Sequence, residues 1–247
     1  LVLHQLSLQQ RPLLYRAALS EMIVPYGDND NMHAWKHVLD ASEYNMGMLV
    51  NSLKLGCDCL GEIFYFDVHQ VKWEGKVKSV ENAICMHEED YGIQWKHYDS
   101  ESQTSEVRRS RRLVISSIFT IGNYDYGFYW YLYLDGTIQM EIKLTGIVGV
   151  SAVTEATHNP AQSPLIAEGL ASPVHQHVFC FRLDWELDGG PNAIYESQIE
   201  VLPISDTNPD GTQFQSVSTH LVDEASAKRN VYPCLLYTSD AADDGLC

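Results

Sequence analysis

Two histidines, His175 and His177, stand two residues apart in the run HQHVFCFRLD. In a strand, side chains at i and i+2 leave by the same face, so both imidazoles could reach one metal ion. Two ligands are half a site, and a hydrogen-bonded pair on an exposed face accounts for these residues equally well. A second feature is Asn123-Tyr124-Asp125, at the head of NYDYGFYWYLY. Rings in such a run ordinarily pack into a core with their phenol groups at its rim. A tyrosine becomes chemically unusual only when a metal and oxygen lie beside its ring. The third feature is Asp40, in HVLDASEYNMG, with Tyr26 fourteen residues earlier in VPYGD. A carboxylate near a turn is usually a cap or a solvated charge, and it becomes a general base only where an apolar pocket raises its pKa.

Cysteine spacing adds less. Cys57 and Cys59 form a C-x-C inside GCDCLG, Cys85 lies in NAICMHEED, and Cys180, Cys234 and Cys247 stand apart. Structural zinc wants wider spacing and a matching second pair. One disulfide from the C-x-C to Cys85 fits better, with plain buried thiols as the other reading.

The elements that must position these groups read as strands. From Thr137 to Leu144, TIQMEIKL alternates polar and apolar, the period of a half-buried strand. Asp135-Gly136 separates it from the aromatic run, a hairpin with a type I′ signal. Further strands are expected over Glu62–Val68, Leu113–Ile121, His175–Asp184 and Ala193–Val201, with one short helical piece around Glu43–Leu55. Loops carry the Gly, Pro and Asn of Pro25–Asn31, His158–Pro164, Gly189–Asn192 and Ser205–Gly211. The basic run Arg108–Arg112 precedes an apolar strand and is expected to be a solvated strand edge. The fold class is all-β, a large antiparallel sandwich-like domain.

A net charge of −17 over 247 residues argues against a nucleic-acid partner or an anionic membrane surface, both of which need basic patches. No apolar run approaches the length of a membrane span. The chain opens at Leu1 with no leader pattern, so an upstream part is expected and the compartment stays open. After Pro233 the text CLLYTSDAADDGLC abandons strand patterning. Residues 1–233 are therefore taken as the domain, incomplete at both ends, and 234–247 as a non-native tail.

These features occur in one order in RPLLYRAALSEMIVPYGD, GCDCLGEIFYFD, NAICMHEEDYGIQWKH, RRSRRLVISSIFTIGNYDYGFYWYLYLDGTIQMEIKLTG and HQHVFCFRLD. Together they resemble the copper amine oxidases. The resemblance implies the catalytic β-sandwich of a homodimeric primary-amine oxidase, which turns a primary amine and O2 into aldehyde, ammonia and hydrogen peroxide. It implies that Tyr124 is the precursor of topaquinone, Asp40 the proton-abstracting base and Tyr26 the hydrogen-bond partner of the cofactor ring. Asn123 and Asp125 would position that ring, and His175 and His177 would be two of three copper(II) ligands. By the same pattern Cys59 rather than Cys57 pairs with Cys85. The resemblance also puts the start of a peripheral cation site, for Ca2+, at Asp184, although Glu186 departs from its usual second aspartate. Two other classes compete: a differently metallated enzyme with no role for Tyr124, and a non-catalytic sandwich module.

The third copper histidine has no counterpart here. The one histidine after His177 is His220, in SVSTHLVDEASAKRN, whose surroundings do not match. Two imidazoles hold copper far more weakly than three in a closed geometry. This 247-residue chain is therefore expected to process Tyr124 inefficiently. Intact mass after aerobic incubation with copper(II), against Tyr124→Phe, checks this. A Tyr124-dependent gain of two oxygens for two hydrogens contradicts the expectation.

Overall fold

The computed structural model describes residues 1–28, 33, 37–155 and 158–228. The expected tail, 234–247, lies outside them. In chain order the strands are β1 (Val2–Leu8), β2 (Arg11–Ile23), β3 (Phe64–Val71), β4 (Val77–Asp99), β5 (Thr104–Ile121), β6 (Tyr124–Tyr133) and β7 (Ile138–Gly146). There follow β8 (Ser151–Ala152), β9 (Leu165–Ala167), β10 (Leu170–Ala171), β11 (Val178–Trp185), β12 (Ile194–Val201) and β13 (Phe214–Leu221). Among the described residues no helix is long and apolar enough to cross a membrane.

The unit Leu1–Trp185 is built on two antiparallel sheets. One has the order β1-β2-β11, the other β3-β4-β5-β6-β7, and a small third sheet runs β8-β10-β9. The two large sheets close on a shared core. Met22 of β2 and Phe179 and Phe181 of β11 pack against Phe119 of β5 and Tyr126 and Phe128 of β6. A second cluster joins Leu14 and Ala17 of β2 to Trp130 of β6. Sheet-on-sheet burial of alternate residues is what the period-two pattern anticipates. The aromatic strand β6 lies between β5 and β7 in unbroken register, from Ile121↔Tyr124 to Arg112↔Tyr133 on one side. Residues Glu186–Cys247 form a separate unit whose described part is a β12–β13 hairpin.

Three local expectations change. The helical piece contracts to a single 3-10 turn, Met46–Leu49, preceded by Asn45 in the left-handed region at φ 59°. Gly47 and four residues of length cannot sustain a helix. The β6–β7 connection is not type I′, because positive φ falls on Gly136 (+90°) and not on Asp135. Gly136 N–H donates to the Tyr133 carbonyl, and Tyr133 N–H to the Thr137 carbonyl, so the loop is a tight turn followed by a glycine bulge. His175 and His177 precede β11 rather than lying within it. The arginine run does lie on a solvated strand edge, since β5 before Arg112 pairs with β4 alone, and there Arg109, Arg111 and Arg112 form ion pairs with Asp90, Glu88 and Glu89 of β4.

The indole of Trp130 is 3% exposed and meets Phe181 edge-on at 6.0 Å, bridging the sheets. Trp130→Ala is expected to cost about 3–5 kcal/mol, measured by denaturant unfolding. A loss under 1 kcal/mol contradicts this packing.

Candidate active site

The site gathers where β2, β6 and the run into β11 end together. Past Ile23 the β2–β11 pairing continues irregularly. Gly27 N–H donates to the Val174 carbonyl at 2.7 Å and Gln176 N–H to the Pro25 carbonyl at 3.1 Å. This makes Tyr26 and His175 bridge partners, with ring centroids 5.1 Å apart. The same strand end holds Asp40, whose N–H donates to the Met22 carbonyl at 2.8 Å.

Tyr124 opens β6 after a two-residue hairpin that places positive φ (+58°) on Gly122. Its hydroxyl accepts from the Gly149 N–H at 3.1 Å and hydrogen-bonds Tyr26. The backbone around it tolerates no side chain at Gly146, where φ is +103° and an added Cβ would lie 2.4 Å from the Asn123 carbonyl oxygen. Tyr124 borders two cavities. The larger, about 510 Å³, is lined by Tyr26, Asp40, Tyr44, Asn123 and Tyr126 among others. The smaller, about 260 Å³, includes His177. The half-buried Tyr124 ring is thus not packed shut.

Asp40 is buried, and no described residue donates a hydrogen bond to its carboxylate. Burial, then the charge of Glu21, pushes its pKa up to about 6. Glu21 is itself held down by backbone donors, including Met22 N–H at 2.9 Å and Ala41 N–H at 2.7 Å. A carboxyl poised in this way can accept a proton near neutral pH and later release it.

The two imidazoles are 5.0 Å apart and lie 5.4 Å (His175) and 5.6 Å (His177) from the Tyr124 ring. His175 Nδ1 is 2.9 Å from the Pro173 carbonyl oxygen, which can only accept, so Nδ1 carries the proton. His177 Nδ1 is 3.1 Å from the Tyr126 hydroxyl. With Nδ1–H donated to that oxygen, both rings present Nε2 lone pairs, the arrangement a metal ion needs. Burial, then the neighbouring His175, lowers the His177 pKa to about 4, so the ring is neutral at pH 7. The donor set fits a metal that takes imidazole nitrogen. No cluster of three or more His, Cys, Asp or Glu suited to a metal occurs among the described residues.

The remaining expected residues fall as follows. Asn123 lines the larger cavity. Asp125 faces away from the Tyr124 ring, accepting from the Thr120 hydroxyl across β5, so any hold it has on the ring runs through the backbone. Cys59 and Cys85 are both buried and in hydrogen-bond contact, whereas Cys57 is exposed. They are thiols here rather than the implied disulfide, and joining them requires an oxidant. Asp184 lies near the end of β11, and neither it nor Glu186 belongs to a group of three or more His, Cys, Asp or Glu among the described residues. His220 stacks on Tyr195, its partner in the β12–β13 hairpin, at 4.8 Å. Tyr126 was missed from sequence, although its place two residues after Tyr124 on one strand face was the available signal. The cavity residue His33 had none.

Known proteins match at the level of the whole chain. The family model described as the copper amine oxidase enzyme domain matches residues 1–235. The primary amine oxidase of Arthrobacter sp. (strain P1) is 50% identical over 233 residues, 93% of this chain and 36% of that protein. The histamine oxidase of Arthrobacter globiformis is 48% identical over 234 residues, 93% and 34% respectively. The solved copper-containing benzylamine oxidase from Hansenula polymorpha superposes with a TM-score of 0.82 at 29% identity, covering 89% of this chain and 35% of its own. The chain therefore spans about a third of the length of these relatives. With the matched segment carrying the tyrosine, the carboxylate and both imidazoles, the chain belongs to the copper amine oxidase family.

Proposed function

We propose that this chain carries the catalytic site of a copper- and topaquinone-dependent primary-amine oxidase. The overall reaction takes R–CH2–NH2, O2 and water to R–CHO, NH3 and H2O2. One observation carries the reading: the Tyr124 ring stands between a cavity holding the buried Asp40 carboxylate and two imidazoles, each engaged at Nδ1 and so able to turn Nε2 to a metal ion. When present, the quinone derived from Tyr124 supplies an electron sink that no encoded side chain offers, and copper serves its formation and the reduction of dioxygen.

The chain's own residues do the rest. His175 and His177 would hold copper, with a third ligand outside the described residues. Among the described residues lining the larger cavity there is no Lys or Arg to repel a cationic amine. Asp40 takes the proton from the carbon bearing the amine, and its apolar surroundings (Val24, Val38, Ile121) keep the carboxylate from being leveled by water. The Tyr26 hydroxyl, already bonded to Tyr124, holds the ring oxygen. Asn123 at the turn walls the ring on the cavity side.

The assembly is proposed to be a homodimer. Beyond Met86 and before Arg112, β4 and β5 pair only with each other and form a two-stranded ribbon. Ile93, Trp95 and Tyr98 are exposed on it. Apolar residues so placed favour a protein partner.

In the complete protein, Asp40→Asn is expected to lower kcat by about 10²–10⁴. The parent's kcat/KM should fall as pH drops through about 6, where Asp40 becomes protonated. The same variant should be more stable at pH 7. The folded pKa lies above the unfolded one, so stability is lost as pH rises from 3.8 to about 6, and the amide avoids a loss of at most about 2–3 kcal/mol. Activity within tenfold of the parent would sink the assignment of Asp40. For the dimer, Ile93→Asp with Trp95→Ala should shift light-scattering mass toward the monomer, and an unchanged mass removes the ribbon from the interface.

A further inference from the structure

The segment that carries Asp40 is fastened to β2 by a second carboxylate, that of Glu21. β2 holds one extra residue at Ser20, because Phe181 pairs with Leu19 and Cys180 with Glu21. Leu19 and Met22, three positions apart, therefore both reach the same core, and the bulge re-aims the side chain between them. Glu21 Oε1 accepts from the Met22 N–H at 2.9 Å and from the Ala41 N–H at 2.7 Å. The carboxylate also takes hydrogen bonds from the Ser42 N–H and hydroxyl. Asp40 N–H donates to the Met22 carbonyl at 2.8 Å, so the chain is bonded to β2 at Asp40 and at both residues after it.

A neutral anchor would hold this segment without a second negative charge near a buried base. An ionised carboxylate holds it more firmly, since hydrogen bonds to a charged acceptor are about twice as strong as neutral ones. Its charge also opposes ionisation of Asp40, which suits a base that must take a proton and give it up. Among the described residues, the other ionisable groups around Asp40 are Tyr26, His33, Tyr44, Tyr124 and Tyr126 of the cavity wall. Within the turn itself, Glu43 Oε2 accepts from the Leu39 N–H at 2.9 Å. Placement of the base matters on a scale of about 1 Å, a displacement that can cost about 10²-fold in rate.

We infer that Glu21 is a positioning residue for the base: its carboxylate clamps residues 40–42 to the end of β2 and stands as a negative charge near the Asp40 carboxyl. This rests on the amine-oxidase reading of the cavity and adds to it a residue that acts through Asp40 rather than on the amine.

In the complete protein, Glu21→Ala is expected to lower kcat about 10- to 100-fold while KM changes by less than about threefold. In an Asp40→Asn background the same change should cost no more than about twofold, because the group it places is already gone. A kcat loss under about threefold in the parent, a KM that rises in step with that loss, or full additivity with Asp40→Asn overturns the inference. Glu21→Gln keeps an acceptor oxygen and removes the charge, so the acid limb of kcat/KM should move to lower pH. A limb that stays in place overturns the inference as well, and this variant decides the matter if circular dichroism shows Glu21→Ala to be unfolded. Hydrogen exchange needs no turnover: in the chain itself, the Ala41 amide should exchange about tenfold faster in Glu21→Ala than in the parent. Faster exchange without amine oxidation by the complete protein upholds the clamp and removes the amine-oxidase reading. Unchanged exchange removes the clamp alone.

Discussion

The hydrogen bond between Tyr126 and His177 joins the two sheets at the one place where chemistry is assembled. Tyr126 belongs to β6 of the five-stranded sheet, and His177 leads into β11 of the three-stranded sheet. Its geometry depends on sheet-to-sheet packing, because the core of Met22, Phe119, Phe128 and Phe179 sets how closely the layers approach. The bond engages His177 at Nδ1 and leaves Nε2 as the ring nitrogen that a metal ion could take. A shift of β6 by one residue would turn Tyr124 and Tyr126 to the opposite face and abolish the arrangement. The unbroken register of β6 with β5 and β7 is what prevents that shift.

Electrostatically the site is built by leaving groups unpaired. Asp40 has a neighbouring acid, Glu21, and among the described residues no cation, so burial raises its pKa. Burial likewise holds His177 neutral and pushes the hydroxyls of Tyr26 and Tyr126 upward, away from ionisation. The arginines of β5 are spent elsewhere, in exposed pairs along the ribbon that contribute little stability individually but neutralise the acidic face of β4.

Legibility followed the range of the interactions. The alternation of TIQMEIKL gave β7 within a residue or two, because a half-buried strand writes its environment into every second letter. The turn chemistry of Asp135-Gly136 located the hairpin but mistook its form, since positive φ was needed at the glycine alone. The ion pairs of the arginine run were hidden for a different reason. Its acidic partners lie about twenty residues back, on β4, and only strand register brings them alongside. His33 carried no periodic or motif signal, and it matters only because the chain folds it onto Tyr26 and Asp28.

The amino-acid sequence by itself determined the all-β class, the aromatic strand and the identities of Tyr124, Asp40, His175 and His177. These rest on local patterning and on an ordered set of motifs. Tertiary structure alone decided that Asp40 is buried beside another acid, that Nδ1 is the engaged nitrogen of both imidazoles, and that Asp125 faces Thr120. Protonation state, tautomer and contact are set by groups distant along the chain. Only the closing of one sheet on the other makes them neighbours.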